Sequence, residues 1–271
     1  MEIKLYSGIC FNENKFSETS DFISIEVPLS IAVNNIPFTV TMQTPGNEAD
    51  LARGLLFTEN IFKSQECSPL IEVISKNGEG YIESINVQIP SKFILKDFAG
   101  TRNVISASSC GVCGKTTLDD THCETVNNSD KLQAELVPEM FRLINEGQKH
   151  FRKSGGTHAA GAFTINGKLL VLHEDIGRHN AVDKVIGFLI HNRLMEKAKC
   201  ITVSGRLSYE IVEKAKSANI PFIAAVSAPS TLAIDNAQES GITLMAFCRN
   251  DKFTVYSNPH QILINTNVPV K

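Results

Sequence analysis

A chain of 271 residues and 29.7 kDa holds one large or two small domains. With 42% apolar and 20% charged residues it is neither disordered nor fibrous, and about three quarters of its unfolded surface can be buried without disulfide or metal staples. The 26 basic and 29 acidic residues leave a formal net charge of −3. That excludes a global field for nucleic acid or anionic membrane, so any anion site must be local.

The first residues lack the basic flank and apolar run of a secretory leader, and no window reaches the ~18 apolar residues of a membrane span. Seven cysteines, an odd number, are then expected as thiols in a reducing cytoplasm rather than as a disulfide framework. No fixed-period repeat or low-complexity tract is present.

In chain order, residues 21–27 and 36–42 are β-rich and bounded by Pro or Asn, as strands are. Asn47 is placed to cap a helix over 48–57, and 70–89 reads as a hairpin around Asn77-Gly78 with Ile85, Val87 and Ile89 on one face. Residues 1–105 are therefore expected to form a small α+β unit. From Lys96 to Asp130 the apolar periodicity fades, and 106–130 is expected as a long loop carrying cysteines. Pro138, Met140, Leu143, Ile144 and Phe151 predict one amphipathic helix ending at Gly155-Gly156. A hairpin over 159–173 and a helix burying Val182, Val185, Ile186 and Leu189 follow. The remainder alternates strand 200–204, helix 207–218, strand 221–227, helix 230–240, strand 242–247, so 131–271 is expected as an α/β domain with parallel strands.

The densest thiol chemistry is Ser108-Ser109-Cys110-Gly111-Val112-Cys113-Gly114-Lys115. Glycines let the backbone bend so that both sulfurs face one way, and the partner thiol and Lys115 favour thiolate. Zinc ligation, dithiol exchange and persulfide carriage all fit this pair. Zinc would need His122 and Cys123, which are adjacent and strain a shared coordination sphere, and no second C-x-x-C exists. Cys10, Cys67, Cys200 and Cys248 stand alone and are expected as small core hydrophobes.

Parallel strands end on a common edge, where helix N-termini attract anions. Three loops reach that edge: Ser204-Gly205-Arg206, then Ser227-Ala228-Pro229-Ser230-Thr231, and, after Phe247, Cys248-Arg249-Asn250-Asp251-Lys252. The block Glu174-Asp175-Ile176-Gly177-Arg178-His179-Asn180-Ala181-Val182-Asp183-Lys184 has the composition of a recognition loop, with Asp175 able to cap the next helix. The turn Gly155-Gly156-Thr157-His158 adds an imidazole. A zinc nucleobase deaminase would need H-x-E before P-C-x-x-C, but His158 is followed by Ala159 and Ala160, and C-x-x-C precedes it without a proline.

S-S-C-G-V-C-G-K, G-G-T-H-A-A, E-D-I-G-R-H-N-A-V-D-K, S-G-R-x-S and S-A-P-S-T-L-A together resemble the FdhD family of formate dehydrogenase accessory sulfurtransferases, over residues 108–256. The resemblance implies a cytidine-deaminase-like α/β C-terminal domain without the zinc site. It implies a cytoplasmic homodimer that takes sulfur from a cysteine desulfurase and delivers it to the molybdenum bis(molybdopterin guanine dinucleotide) cofactor of formate dehydrogenase, bound transiently as substrate. Under it Cys110 carries the persulfide with Cys113 as partner, and no metal, nucleic acid or membrane is a ligand. The cofactor contacts are then expected at Gly156, His158, Asp175, Arg178, His179, Asn180, Ser204, Gly205, Arg206, Ser227, Ala228, Pro229, Phe247, Cys248, Arg249, Asn250, Asp251 and Lys252. A chaperone that only holds the cofactor would use the same edge and leave the thiols idle, and a metal-stabilised interaction module is the third reading.

Overall fold

A computed structural model describes residues 3–64, 69–95, 125–126 and 128–264. Cys67, the Cys110–Cys113 pair, His122 and Cys123 lie outside the described residues.

Strands β1 (Ile3–Asn12) and β2 (Lys15–Ser24) form a hairpin. Its turn residues Glu13 and Asn14 have φ of 48° and 61°, the left-handed pair that matches strand twist in a two-residue turn. The strand expected over 21–27 is thus two strands, because the chain breaks between β2 and β3 (Val27–Val33). A second two-residue turn, Asn34-Asn35, leads to β4 (Ile36–Gln43). With β5 (Leu70–Lys76) and β6 (Ile82–Gln88) these make a sheet in the order β4-β3-β6-β5. Helix α1 (Glu48–Thr58) packs Leu51, Leu55 and Leu56 onto its Leu29, Ile31, Ile85 and Val87. Asn47 precedes this helix but does not cap it: it sits at φ 61° with no side-chain cap bond, while the Glu48 carboxylate accepts from the Gly46 amide at 2.8 Å.

The second part opens with β7 (Leu132–Gln133) and α2 (Leu136–Gly147). The expected continuous helix through Phe151 is interrupted at Gln148. A separate turn, α3 (Phe151–Ser154), follows, and Phe151 is 41% exposed. Then come β8 (His158–Phe163), β9 (Leu169–Asp175), α4 (Arg178–His191), β10 (Cys200–Val203), α5 (Tyr209–Ser217), β11 (Phe222–Ala225), α6 (Thr231–Glu239), β12 (Thr243–Arg249), β13 (Lys252–Val255) and β14 (Ile262–Leu263), the last paired with β7. The six-stranded sheet runs β13-β12-β11-β10-β8-β9. Only β10, β11 and β12 are parallel, joined by α5 and α6 as crossovers, so the sheet is mixed.

Both faces of this sheet are covered, and alternate residues sort to each. Ile201, Val203, Ile223, Ala225 and Leu244 join the core under α4, α5 and α6, whereas Cys200, Phe222, Ala224 and Met245 join the core under α2. Cys200 and Cys248 are buried, as expected of small hydrophobes, but Cys10 is exposed on the β1–β2 hairpin.

Helices α1 and α4 cross where each carries a glycine. A Cβ on Gly54 would lie 1.8 Å from the Asp183 carbonyl oxygen, and one on Gly187 would lie 1.8 Å from that of Asp50. No other residue fits this crossing without moving backbone. Through it the N-terminal sheet is docked on the larger one.

Candidate functional site

A cleft of about 610 Å3 opens beside the parallel strands. One wall is α2, through Val137, Phe141, Asn145 and Gln148. The other is built from the 155–158 turn, Ser204 and Val226 at the ends of β10 and β11, and the β12–β13 turn from Cys248 to Phe253. The cleft exists because three parallel strands stop on one edge while α2 stands over the opposite sheet face.

Of the residues the sequence nominates, Gly156, His158, Ser204, Cys248, Arg249, Asn250, Asp251 and Lys252 line this cleft. Ser204 is held in register with β8, its Oγ accepting from the Ala159 amide and its own amide donating to the Ala159 carbonyl, both at 2.9 Å. Arg178 and Gly205 stand next to His158: a Cβ on Gly205 would meet His158 Nδ1 at 3.3 Å and Arg178 Cβ and Cδ at 3.5 Å. The glycine is what lets this imidazole and guanidinium close on the loop.

Cations outnumber carboxylates here: Asp175 acts on His158, and Glu210 Oε2 lies 3.9 Å from His179 Nε2. Burial lowers the His158 pKa, and the neighbouring Arg178 and Arg206 lower it further against an opposing pull from Asp175, so at neutral pH the ring is an uncharged group beside two guanidiniums. His179 is pushed down to about 3 by burial, with Lys214, Arg178 and His158 adding to it. Its Nε2 lies 3.3 Å from Ser208 Oγ, and its Nδ1 is buried with no hydrogen-bond partner. Arg178 Nε is likewise buried without one. Among the described residues neither Arg178 nor Arg206 has a carboxylate within ion-pair distance. Cations lacking carboxylates, next to the free amides that open α4, make an anion cradle.

The cleft thiol is inert by contrast. Burial pushes Cys248 up to about 12 and raises Cys200 as well, so both stay protonated and neither is a nucleophile. No group of three or more metal-capable side chains occurs among the described residues.

The FdhD/NarQ family matches residues 24–263. The chain belongs to that family. A protein of Nocardia farcinica called sulfur carrier protein FdhD is 38% identical over 255 residues, covering 89% of this chain and 88% of its own. One of the same name from Sulfolobus acidocaldarius is 38% identical over 247 residues, covering 91% of this chain and 93% of its own. A crystal structure from Desulfotalea psychrophila, described as a formate dehydrogenase accessory protein, superposes with a TM-score of 0.74 over 97% of this chain and 100% of that one. At 24% identity it shows a shared fold.

Within this FdhD/NarQ chain several nominated residues lie away from the cleft. Asp175 is fully buried. Its Oδ2 pairs with Lys184 Nζ at 2.7 Å and accepts from the Thr44 amide, and its Oδ1 accepts from the Gly177 amide at 2.8 Å and from Asn180 Nδ2 at 3.1 Å. Asn180 also donates to the Met42 carbonyl at 2.7 Å. Both therefore tie the N-terminal sheet to α4, and a ligand has no access to them. Ser227, Ala228 and Pro229 zip neighbouring loops together: the Ala228 carbonyl accepts from the Leu207 amide, and that of Ser227 from the Phe247 amide. Val226 takes the place in the cleft wall instead. Phe247 sits at φ 55° in a β-bulge between Ala246 and Arg249. The bulge sends its ring to the α4–α6 face beside Tyr256 and leaves Cys248 on the cleft side.

The cleft also recruits residues that the sequence reading did not name as contacts. Phe141, Asn145 and Gln148 lie along α2, and Thr157 follows the nominated glycines. The polar Asn145 and Gln148, one turn apart next to the apolar stripe, are the signal that could have marked this wall.

Proposed function

We propose that this protein is a sulfur carrier for formate dehydrogenase, acting in the cytoplasm. It takes persulfide sulfur from a cysteine desulfurase on Cys110 and passes it to the molybdenum bis(molybdopterin guanine dinucleotide) cofactor, held as substrate along the cleft. The observation that carries the reading is the cation-rich edge at Gly205, where Arg178 and Arg206 act on His158 and neither guanidinium has a carboxylate within ion-pair distance among the described residues. Phosphates of a dinucleotide supply the missing negative charge, and Arg178 Nε is a donor in need of an acceptor. The names of the relatives supply the sulfur. The deaminase-like assignment of the second domain belongs to the same reading, supported by the mixed sheet and by His158-Ala159-Ala160 lacking the proton-shuttling glutamate.

The chemistry balances as two exchanges. The Cys110 thiolate attacks the outer sulfur of the desulfurase persulfide, that S–S bond breaks, and the desulfurase thiolate leaves, giving Cys110 persulfide. The Cys113 thiolate then attacks the Cys110 sulfur, expelling hydrosulfide toward the metal and closing a Cys110–Cys113 disulfide, which a dithiol reductant reopens. The two electrons that convert sulfane sulfur to sulfide come from the thiol pair. Lys115 supports the thiolate state. Arg178, Arg206, Arg249 and Lys252 balance phosphate charge, and Gly205 permits close approach.

Intact mass after incubation with a cysteine desulfurase and cysteine tests this. One added sulfur is expected on the natural chain, none on Cys110→Ala, and a retained persulfide on Cys113→Ala, with affinity for guanosine diphosphate unchanged in all three. Sulfur loading on Cys110→Ala overturns the assignment, and loading on none of them leaves a chaperone that only holds the cofactor.

A further inference from the structure

Taking the cleft as the seat of the cofactor, a reading on which this one rests, we propose that Gln148 is the residue that reads the cofactor's heterocycle. Its carboxamide pairs with a lactam edge, the adjacent N–H and C=O that guanine and pterin rings share. Gln148 stands at the bend between α2 and α3, at φ −73° and ψ 73°. Its backbone is engaged on both sides, the amide donating to the Ile144 carbonyl at 3.0 Å and the carbonyl accepting from the Arg152 amide at 3.2 Å. The side chain is 6% exposed, lines the cleft, and has no hydrogen-bond partner among the described residues. A buried carboxamide is ordinarily paired, because an amide taken out of water without partners destabilises the fold. One that is ordered, unpaired and facing a cavity is a donor and an acceptor held ready for a ligand.

Glu174 fixes where that amide stands. Its carboxylate, near the end of β9, accepts from the His150 amide at 2.9 Å, from the Phe151 amide at 2.8 Å and from the Thr157 hydroxyl at 2.9 Å. One side chain thus ties the exit of α2 to the turn that leads into His158. Gln148 and the cation edge therefore belong to one rim, set before a ligand arrives, and a preset rim spends little of the binding free energy on ordering.

The chemistry of the wall selects the group that Gln148 meets. Val137, Phe141 and Gln148 line the cleft at spacings of four and seven residues, one stripe along α2. The stripe is apolar and aromatic until it ends in the amide, which suits a flat ring with a polar edge. A phosphate only accepts, so it would leave the carboxamide oxygen without a donor, and guanidiniums already answer its charge. A lactam edge donates and accepts side by side, satisfying both ends of the carboxamide in one bidentate pair.

Calorimetry on the full chain with guanosine diphosphate, a phosphate-free pterin and inorganic diphosphate decides this. Gln148→Met keeps the length of the side chain and removes its polar atoms. The variant is expected to bind guanosine diphosphate or the pterin ~10-fold or more weakly, as loss of two hydrogen bonds requires, and inorganic diphosphate within ~2-fold of the natural chain, with unchanged melting. Which ring loses affinity identifies the source of the lactam. Should the variant fold poorly, the side-chain NH2 resonances of Gln148 in the isotope-labelled natural chain decide instead: one of the rings must shift them and inorganic diphosphate must not. Equal affinity of the two chains for both rings, an equal loss for inorganic diphosphate, or NH2 resonances that neither ring moves overturns the Gln148 assignment and leaves the cofactor reading standing. A natural chain that takes none of the three probes overturns the cofactor reading itself, and this assignment with it.

Discussion

The block from Glu174 to Lys184 reads as one run of polar side chains, and the fold divides it between two opposite environments. Arg178 and His179 open α4 at the cleft edge, where donors lack partners. Asp175, Asn180, Asp183 and Lys184 turn toward the N-terminal sheet, where every charge is paired: Lys184 with Asp175 and the Thr44 carbonyl, Asp183 with Lys214 and the Thr58 hydroxyl. The difference teaches that on a helix a charge run carries two messages at once, since residues about 100° apart serve different neighbours. The satisfied half holds two sheets together. The unsatisfied half is available to a ligand.

The largest effect should come from breaking the satisfied half. Lys184→Met leaves the Asp175 carboxylate buried without its cation, a change that costs ~3–5 kcal/mol and lowers the melting temperature by about 10 °C or more. Gly187→Ala, forced against the Asp50 carbonyl, should cost about 3 kcal/mol by the same thermal measurement. Unchanged melting for both would mean that the two sheets are not coupled through this crossing.

How much of this was legible follows the same division. Val182, Val185, Ile186 and Leu189 at helical spacing, and Ile85, Val87 and Ile89 at strand spacing, marked the faces that are buried, because period reports burial directly. Glycine and serine loops marked the cleft edge at Ser204-Gly205 and Gly156. What the pattern did not disclose depends on contacts distant in sequence. Asp175 looks like a capping or ligand-binding carboxylate until Thr44 and Lys184 are brought to it. Phe247 looks like a strand residue facing the cleft until a bulge reverses its side. The β1–β2 hairpin escaped notice because its alternation does not contribute to either core of its own chain.

The unsatisfied half should answer in the opposite currency, affinity rather than stability. Arg178→Ala and Arg206→Ala are each expected to weaken guanosine diphosphate binding ~10–100-fold by calorimetry, as loss of a charge-assisted phosphate contact does, while melting shifts little. Strong destabilisation by Arg178→Ala with intact affinity would assign its guanidinium to packing.

A smaller, pH-dependent effect separates the two regions further. His173 lies 3.9 Å from Asp50 near the crossing, and burial, helped by Lys184, pushes its pKa down to about 4. Its folded value is below the unfolded ~6.5, so the stability gained by keeping the ring neutral is complete above pH ~6.5 and is lost as pH falls toward 4. By pH 5 the loss should reach ~2 kcal/mol, and His173→Gln should flatten that part of the stability–pH curve. His179, pushed down to about 3, should add a component of the same sign that a bound anion reduces, because an anion favours the charged ring. A His173→Gln profile with the natural slope would place the titration elsewhere.

The smallest contrast concerns two helix starts that look alike in sequence. Ser230 accepts from the Ala233 amide at 3.2 Å and so satisfies one of the free donors of α6, and Ser230→Ala should cost about 1 kcal/mol. Asn47 makes no such bond before α1. It is kept by its φ of 61°, and the first-turn task falls to the Glu48 carboxylate and the bond from the Leu51 amide to the Asn47 carbonyl. Glycine meets the same backbone requirement, so Asn47→Gly should stay within about 0.5 kcal/mol of the natural chain. Equal losses at the two positions in denaturant titrations would show that a side-chain cap operates at α1 after all, and that the entry to the helix crossing is held by Asn47 rather than by its neighbour.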